Sequence, residues 1–268
     1  PLAVAFTSGK SSGFIAGADI NEFLLVSNQD DALLLIRRGQ NVFNKIEALN
    51  CPTIAVINGF CMGGGTELAL SCDYRIAVDD PSTRIGLPEV KLGIHPGFGG
   101  IVRLTRLANP FQSLEMMLSG RALSARQANK IGLVDYVQPE RQVTRAVIHI
   151  AVTTPAKRKL PLTGIILSLP FIRPLVTYIL KKKVAKKASI AHYPAPYALL
   201  DVWNKNYGSP SMLVEEAKSV ASLVQGDTVR NLIHVFFLQT RLKGLADKQS
   251  FQPRHVHVIG AGIMGGDI

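Results

Sequence analysis

The sequence is poor in cysteine, holding only Cys51, Cys61 and Cys72, spaced ten and eleven residues apart. No CxxC pair occurs, and no run has the spacing of a zinc ligand set. The six histidines include no HExxH, so no metal is expected. An odd, sparse cysteine count points to a reducing compartment rather than a disulfide scaffold. The opening residues lack a basic stretch followed by a long apolar core, so no secretory signal is read. Acidic side chains are missing from one long segment. Residues 141–200 hold eleven basic side chains and no acidic one, whereas the other nineteen Lys and Arg are balanced by nineteen Asp and Glu. The net charge of +11 therefore belongs to that segment. It suits an anionic partner: a phosphate-bearing ligand, a membrane surface or nucleic acid.

What is present suffices for a core. Of the 268 residues, 47% are apolar and 18% charged, which excludes disorder and leaves room for one large domain or two small ones. Leu2–Thr7 reads as a buried strand with nothing before it to pair with. Val256–Ile259 reads as the opening strand of a unit that does not finish. The expectation is a fragment cut at both ends.

Strands and helices alternate through the first two-thirds. Thr53–Ile57 and Tyr74–Val78 are apolar or β-branched runs bounded by turn residues. Ala32, Ile36, Phe43 and Ile46 keep a helical period between Asp30 and Asn50. Asn109-Pro110 caps a helix that stops at Gly120. Ser124–Gln127 is a capping box for one that ends at Gly132. The alternation argues for an α/β class. No internal repeat is visible.

Residues 155–200 differ, with prolines at 155, 161, 170, 174, 194 and 196 among the lysine clusters. Leu162–Leu180 is apolar, but Pro170, Arg173 and Pro174 interrupt it. A mid-span arginine costs roughly 2.5–3.5 kcal/mol on insertion scales, which argues against a spanning helix. The plainest reading is a helical linker packed on the domain. An amphipathic surface contact stands beside it. Residues 210–245 look helical and amphipathic again.

The stretch richest in chemistry is Ile57–Leu70, a strand running into Gly63-Gly64-Gly65 and then a helix. Free N–H groups at such a helix start can hold a phosphate or a developing oxyanion. No Walker lysine follows, so an oxyanion site is the better functional reading. A tight turn with packing glycines is the plain one. Glu67 lies in the first helical turn, where a carboxylate also suits the helix dipole. Glu89 sits between Pro88 and Val90, and an apolar setting pushes a carboxyl pKa upward. Two carboxylates in separate environments can divide acid and base work, although spacing alone does not bring them together. A second glycine-rich loop, Leu92–Gly100, could wall a pocket. His95 within it reads as a satisfied loop histidine. Gly9-Lys-Ser-Ser-Gly13 matches the GxSxG pattern, but no helix follows the serine, so it is a turn. Val256–Gly265 is a strand followed by GxGxxG, the opening of a dinucleotide-binding unit.

In these residues the chain resembles the crotonase (enoyl-CoA hydratase/isomerase) superfamily, and within it the α subunit of multifunctional fatty-acid oxidation complexes. The resemblance is carried by Phe14–Phe23, Asn58–Leu70, Leu87–Gly100, His192–Pro196 and the terminal glycine run. It implies a crotonase-like ββα spiral core over 1–150, truncated at its N-terminus. A helical linker over 151–253 and the first strand of a Rossmann domain over 254–268 would follow. It implies that Glu67 and Glu89 hold a water, Glu67 as base and Glu89 as proton donor to the α-carbon. The N–H groups of Ala18 and Gly64 would form the oxyanion hole, and Gly97 would line the site. Gly260, Gly262, Ile263, Met264 and Gly265 would bind NAD in a 3-hydroxyacyl-CoA dehydrogenase half. Having both glutamates favours hydration of an acyl-CoA thioester substrate that carries a double bond, trans-2-enoyl-CoA to 3-hydroxyacyl-CoA, over isomerisation. An isomerase, another crotonase activity, or a docking module built on the basic segment are the alternatives. Expected partners are a thiolase subunit and a peripheral membrane contact through residues 155–190, with no nucleic acid. The expected location is the cytoplasm of a bacterium or the mitochondrial matrix of a eukaryote, with possible membrane association.

Overall fold

The computed structural model describes residues 2–24, 26 and 28–245. Strands β1 (Val4–Phe6) and β2 (Gly13–Ile15) open the chain, followed by helices α1 (Ile20–Leu24) and α2 (Gln29–Glu47). Next come β3 (Thr53–Ile57), β4 (Phe60–Met62) and α3 (Gly64–Ser71), then β5 (Tyr74–Val78), β6 (Arg84–Gly86), a 3₁₀ turn (Glu89–Leu92) and α4 (Gly100–Leu107). Three successive strand pairs thus each lead into helix. The first strand of each pair joins a parallel sheet ordered β1-β3-β5, closed by β7 (Tyr136–Gln138). The second joins a parallel sheet ordered β2-β4-β6. The chain is therefore a repeating ββα coil with no repeat in its sequence. Five of the seven strands are three residues long, too short for periodicity to register.

Local chemistry fixes the helix ends. Asn28 accepts from the Asp31 N–H and starts α2. Asn109 with Pro110 starts α5 (Pro110–Ser119), and Gly120 ends it in the left-handed region. Ser124 and Gln127 form the expected reciprocal cap of α6 (Ala125–Ile131). One expectation is corrected at β1. It is half-exposed rather than buried, because it is an edge strand pairing parallel with β3, and Leu2 is 79% exposed.

Helices α7 (Glu140–Thr153), α8 (Leu162–Leu167), α9 (Arg173–Ala185), α10 (Ala195–Asn206) and α11 (Met212–Val224) follow. The apolar run 162–180 breaks into α8 and α9 around Pro170, and among the described residues no helix is long and apolar enough to cross a membrane. The region beyond 151 does not stand apart. Trp203, Leu199, Leu200 and Val176 share one core cluster with Ile85, Leu104 and Met116, and a single compact unit runs to Ile233. Helix α12 spans Asp227–Leu245. The second unit, from His234, holds an edge-to-face Phe236–Phe237 pair. The strand and fingerprint expected over 254–268 lie outside the described residues.

The basic segment is partly neutralised by acids far away in sequence. Lys157 pairs with Asp73, Arg158 with Asp135, Lys181 with Asp201 and Lys183 with Glu115. Lys182, Lys186 and Lys187 form no ion pair among the described residues.

Candidate active site

Helix α3 is set in place from behind. The Thr66 hydroxyl lies 2.8 Å from both the Cys61 and Gly86 carbonyls, tying the helix to β4 and β6. A Cβ added at Gly65 would stand 2.5 Å from the Ile15 carbonyl oxygen, so only glycine lets α3 approach β2 this closely. Gly63 takes φ +53° and turns the chain from β4 into α3.

This turn brings the expected site residues together. A Cβ at Gly63 would lie 3.4 Å from Glu89 Oε1 and 3.8 Å from the Gly17 Cα. A Cβ at Gly64 would lie 3.8 Å from the Ala18 nitrogen and 3.5 Å from the Phe98 ring. A Cβ at Gly100 would lie 2.8 Å from Glu67 Oε1. Glu67, Glu89, Gly64 and Ala18 therefore converge on the start of α3. As the first helical residue, Gly64 has an N–H with no intrahelical acceptor.

The two carboxyl groups differ in environment. Glu67 Oε1 accepts from the Phe98 and Gly100 N–H groups, each at 2.8 Å. Burial pushes its pKa up to about 7, against the pull of those N–H groups and of Arg103. Both oxygens of Glu89 are buried, and no other residue's donor reaches them among the described residues. Burial raises Glu89 well above the usual carboxylate range, and the Glu67 charge raises it further. One carboxyl is thus poised to lose its proton near neutrality and the other to keep it, the division acid–base catalysis needs.

Gly97, expected to line the site, belongs to the loop whose Phe98 and Gly100 N–H groups hold Glu67. Its carbonyl accepts from Gln40, and a Cβ there would meet Val220 at 3.2 Å and Ile36 at 3.6 Å. His95 is satisfied as expected. Its Nδ1 lies 2.8 Å from the Pro96 carbonyl and its Nε2 2.8 Å from the Ser219 hydroxyl. Burial lowers its pKa to about 4, so it is neutral at physiological pH, donating to Pro96 and accepting from Ser219.

Sequence reasoning missed Arg103, Gln40 and Glu216. Arg103 is buried, donates to the Phe98 carbonyl and pairs with Glu47. Glu216 is fully buried on α11 and accepts from Gly99 and Val102. Its signal was present: Met212, Glu216 and Val220 recur every four residues, which puts a carboxylate on the buried stripe of an amphipathic helix. A cleft of about 430 Å³ at the opposite end of α3, lined by Asp73, Arg75, Arg103, Arg106, Lys157 and Arg158 among others, contains neither Glu67 nor Glu89.

A profile described as enoyl-CoA hydratase/isomerase matches residues 2–161. The chain belongs to the enoyl-CoA hydratase/isomerase family. Solved structures of similar proteins agree in fold. An enoyl-CoA hydratase from Bacillus anthracis is 27% identical, with 88% of this chain covering 78% of that one at a TM-score of 0.51. A carnitinyl-CoA dehydratase from Mycobacterium thermoresistibile superposes at a TM-score of 0.65 with 20% identity, covering 88% of this chain and 76% of that chain. An enoyl-CoA hydratase from Rhodobacter sphaeroides reaches 0.65 at 19% identity, covering 94% and 79%. The family membership accounts for the two interleaved parallel sheets. Glu216 lies outside the matched residues.

Proposed function

We propose that the chain hydrates trans-2-enoyl-CoA thioesters to 3-hydroxyacyl-CoA, as a step of fatty-acid oxidation. The observation that carries this reading is the buried pair itself: Glu67 Oε1 accepts from the Phe98 and Gly100 N–H groups, while no other residue's donor reaches the buried Glu89 oxygens among the described residues, so burial and the Glu67 charge raise Glu89 well above the usual carboxylate range. Glu67 takes a proton from water as the water oxygen bonds to the β-carbon. The π electrons of the double bond move toward the thioester oxygen, where the N–H groups of Ala18 and Gly64 stabilise the enolate-like charge. Glu89 then gives its proton to the α-carbon, which leaves Glu67 protonated and Glu89 ionised; return of the proton from Glu67 to Glu89, directly or through the next water, resets the site, so one water in all is added to the double bond. Losing one such oxyanion donor typically costs ~10²–10³ in rate. Isomerisation would shuttle a proton within the substrate and needs only one carboxylate, so two matched groups favour hydration. Glu67→Gln and Glu89→Gln should each lower hydration, read as loss of conjugated enoyl absorbance, by about 10²-fold or more. Turnover near wild type in either variant refutes the assignment.

The reading extends to a multifunctional parent in which a 3-hydroxyacyl-CoA dehydrogenase half oxidises the product with NAD. Its support is the strand and fingerprint Val256–Gly265, in which Gly260, Gly262, Ile263, Met264 and Gly265 would bind the cofactor. These residues lie outside the described part of the structure.

A second, compatible reading concerns α8 and α9. Leu162, Phe171, Leu175 and Tyr178 are each more than half exposed, and Lys182 on α9 and Lys186 at its C-terminal cap follow. Exposed apolar side chains beside lysines that form no ion pair among the described residues fit peripheral contact with an anionic membrane surface. The chain should co-sediment with vesicles containing anionic phospholipid. Glu at Lys182, Lys186 and Lys187 together should abolish that. Equal binding to purely zwitterionic vesicles would count against it.

A further inference from the structure

Two buried carboxylates divide the N–H groups of one loop. Phe98 and Gly100 donate to Glu67, while Gly99 donates to Glu216 Oε1 at 2.6 Å and Val102 to Glu216 Oε2 at 3.1 Å. The donors alternate, 98 and 100 to one side, 99 and 102 to the other. Turning the Gly99 peptide away from Glu216 therefore turns its neighbours away from Glu67. Gly99 sits at φ +102°, a conformation glycine adopts without penalty.

Helix α11 grips the loop at further points. The Ser219 hydroxyl meets His95 Nε2, and Val220 packs where a Cβ of Gly97 would stand. The Gln40 amide donates to the Gly97 carbonyl at 2.9 Å and to the Leu213 carbonyl of α11 at 2.8 Å, stitching α2, loop and α11 together. Arg103 holds the Phe98 carbonyl at 2.8 Å.

We propose that Glu216 is a positioning residue of the hydratase site: by holding the Gly99 and Val102 N–H groups it aims those of Phe98 and Gly100 at Glu67, so that α11 completes the active site of the core. The inference rests on the hydratase reading above. Charge adds a second effect. The charged groups that bear on Glu216 are Glu67 from α3 and Arg103 from α4, and Glu216 in turn bears on Glu89 of the 3₁₀ turn. From α2 comes the uncharged Gln40, and Glu47 is occupied with Arg103. Asp201 and Lys205 of α10 line an outer groove with Glu215 and Lys218. Burial, then the Glu67 charge, pushes Glu216 up to about 8. Once ionised, Glu216 opposes loss of the Glu89 proton. It thereby extends to higher pH the range in which base and acid are both ready.

The test compares wild type, Glu216→Gln and Glu216→Asp across pH, with enoyl-CoA hydration as readout. Glu216→Gln keeps the shape, loses the charge and leaves one good acceptor for two donors. It should lower kcat about tenfold with KM within about twofold, and should move the basic limb of the pH–rate profile to lower pH while the acid limb stays. Glu216→Asp keeps the charge and shortens the reach, so kcat should fall with the basic limb in place. Wild-type kcat in Glu216→Gln, or a kcat loss with an unmoved basic limb, overturns the proposal. If Glu216→Gln fails to fold, wild-type kcat in Glu216→Asp overturns it. If wild type shows no hydratase activity, the function reading fails by itself. A ¹³C-carboxyl titration of Glu89 in labelled wild type and Glu216→Gln then decides, since an unmoved Glu89 refutes the charge coupling.

Discussion

Replacing Glu67 by Gln separates what the site does from what it costs. Glu67 is 2% exposed, and its pKa rises from 4.5 to about 7 because burial penalises its charge. A carboxyl raised in the folded state is favourable while protonated. Its contribution is fully present below the unfolded value of 4.5 and is lost as pH rises through about 7. At ~1.4 kcal/mol per pH unit, ionising Glu67 in place costs about 3 kcal/mol of stability by pH 8. Gln keeps a carbonyl oxygen for the Phe98 and Gly100 N–H groups, so the loop retains its anchor. It also removes the charge that raises Glu89 and Glu216, so relief at those two groups adds to the gain. Urea unfolding of wild type and Glu67→Gln at pH 4.5 and pH 8 should show nearly equal stabilities in acid and a variant more stable by roughly 3 kcal/mol at pH 8. The same variant should have lost about 10²-fold or more in hydration. Equal pH dependence in the two proteins, or a Gln variant weaker at pH 8, would show that Glu67 is not the strained, buried base described above.

Two further substitutions probe the frame. Arg75 is buried and pairs with Asp135 at 2.6 Å, so Asp135→Asn leaves an uncompensated charge and should cost about 3–5 kcal/mol in denaturant unfolding; a loss under 1 kcal/mol would mean that Arg75 is not desolvated. Gly65→Ala sets a Cβ against the Ile15 carbonyl and should destabilise by about 1–3 kcal/mol while impairing hydration, because α3 must move and carries Glu67 with it; unchanged activity and melting temperature would contradict that packing.

Much of the frame was legible because the signals are local. Thr53–Ile57 and Tyr74–Val78 have the boundaries their apolar runs predict, since both strands are buried throughout. The caps at Asn109, Ser124, Gly120 and Gly132 read correctly because each is a contact between near neighbours. The convergence of Glu67 and Glu89 could not come from their separation in sequence. It follows from the Gly63 turn and the parallel pairing of β4 with β6, which place the starts of α3 and of the 3₁₀ turn together. The exposure of β1 and the ion pairs of the basic segment were illegible for the same reason, as both depend on partners far along the chain. Glu216 was hidden differently. Its helix showed the right period, but a charged residue on the apolar stripe has a meaning only when the loop facing it is known.

The charge balance of the site explains why it performs acid–base chemistry at all. Three carboxyl groups with buried oxygens, Glu67, Glu89 and Glu216, influence one another, and the buried guanidinium of Arg103, which also pairs with Glu47, bears on Glu67 and Glu216. All three cannot ionise together in a desolvated space, so protons must remain on some of them at neutral pH. Burial raises all three, and donors then offset that rise unequally. Glu67 and Glu216 each receive two backbone N–H groups, and Glu89 receives none from another residue among those described. The loop that feeds the first two therefore leaves Glu89 without that relief, as the carboxyl of the pair suited to act as the acid. The division of labour between base and acid is thus a consequence of how four N–H groups are shared, and changing that sharing at Glu216 should disturb the acid as well as the base.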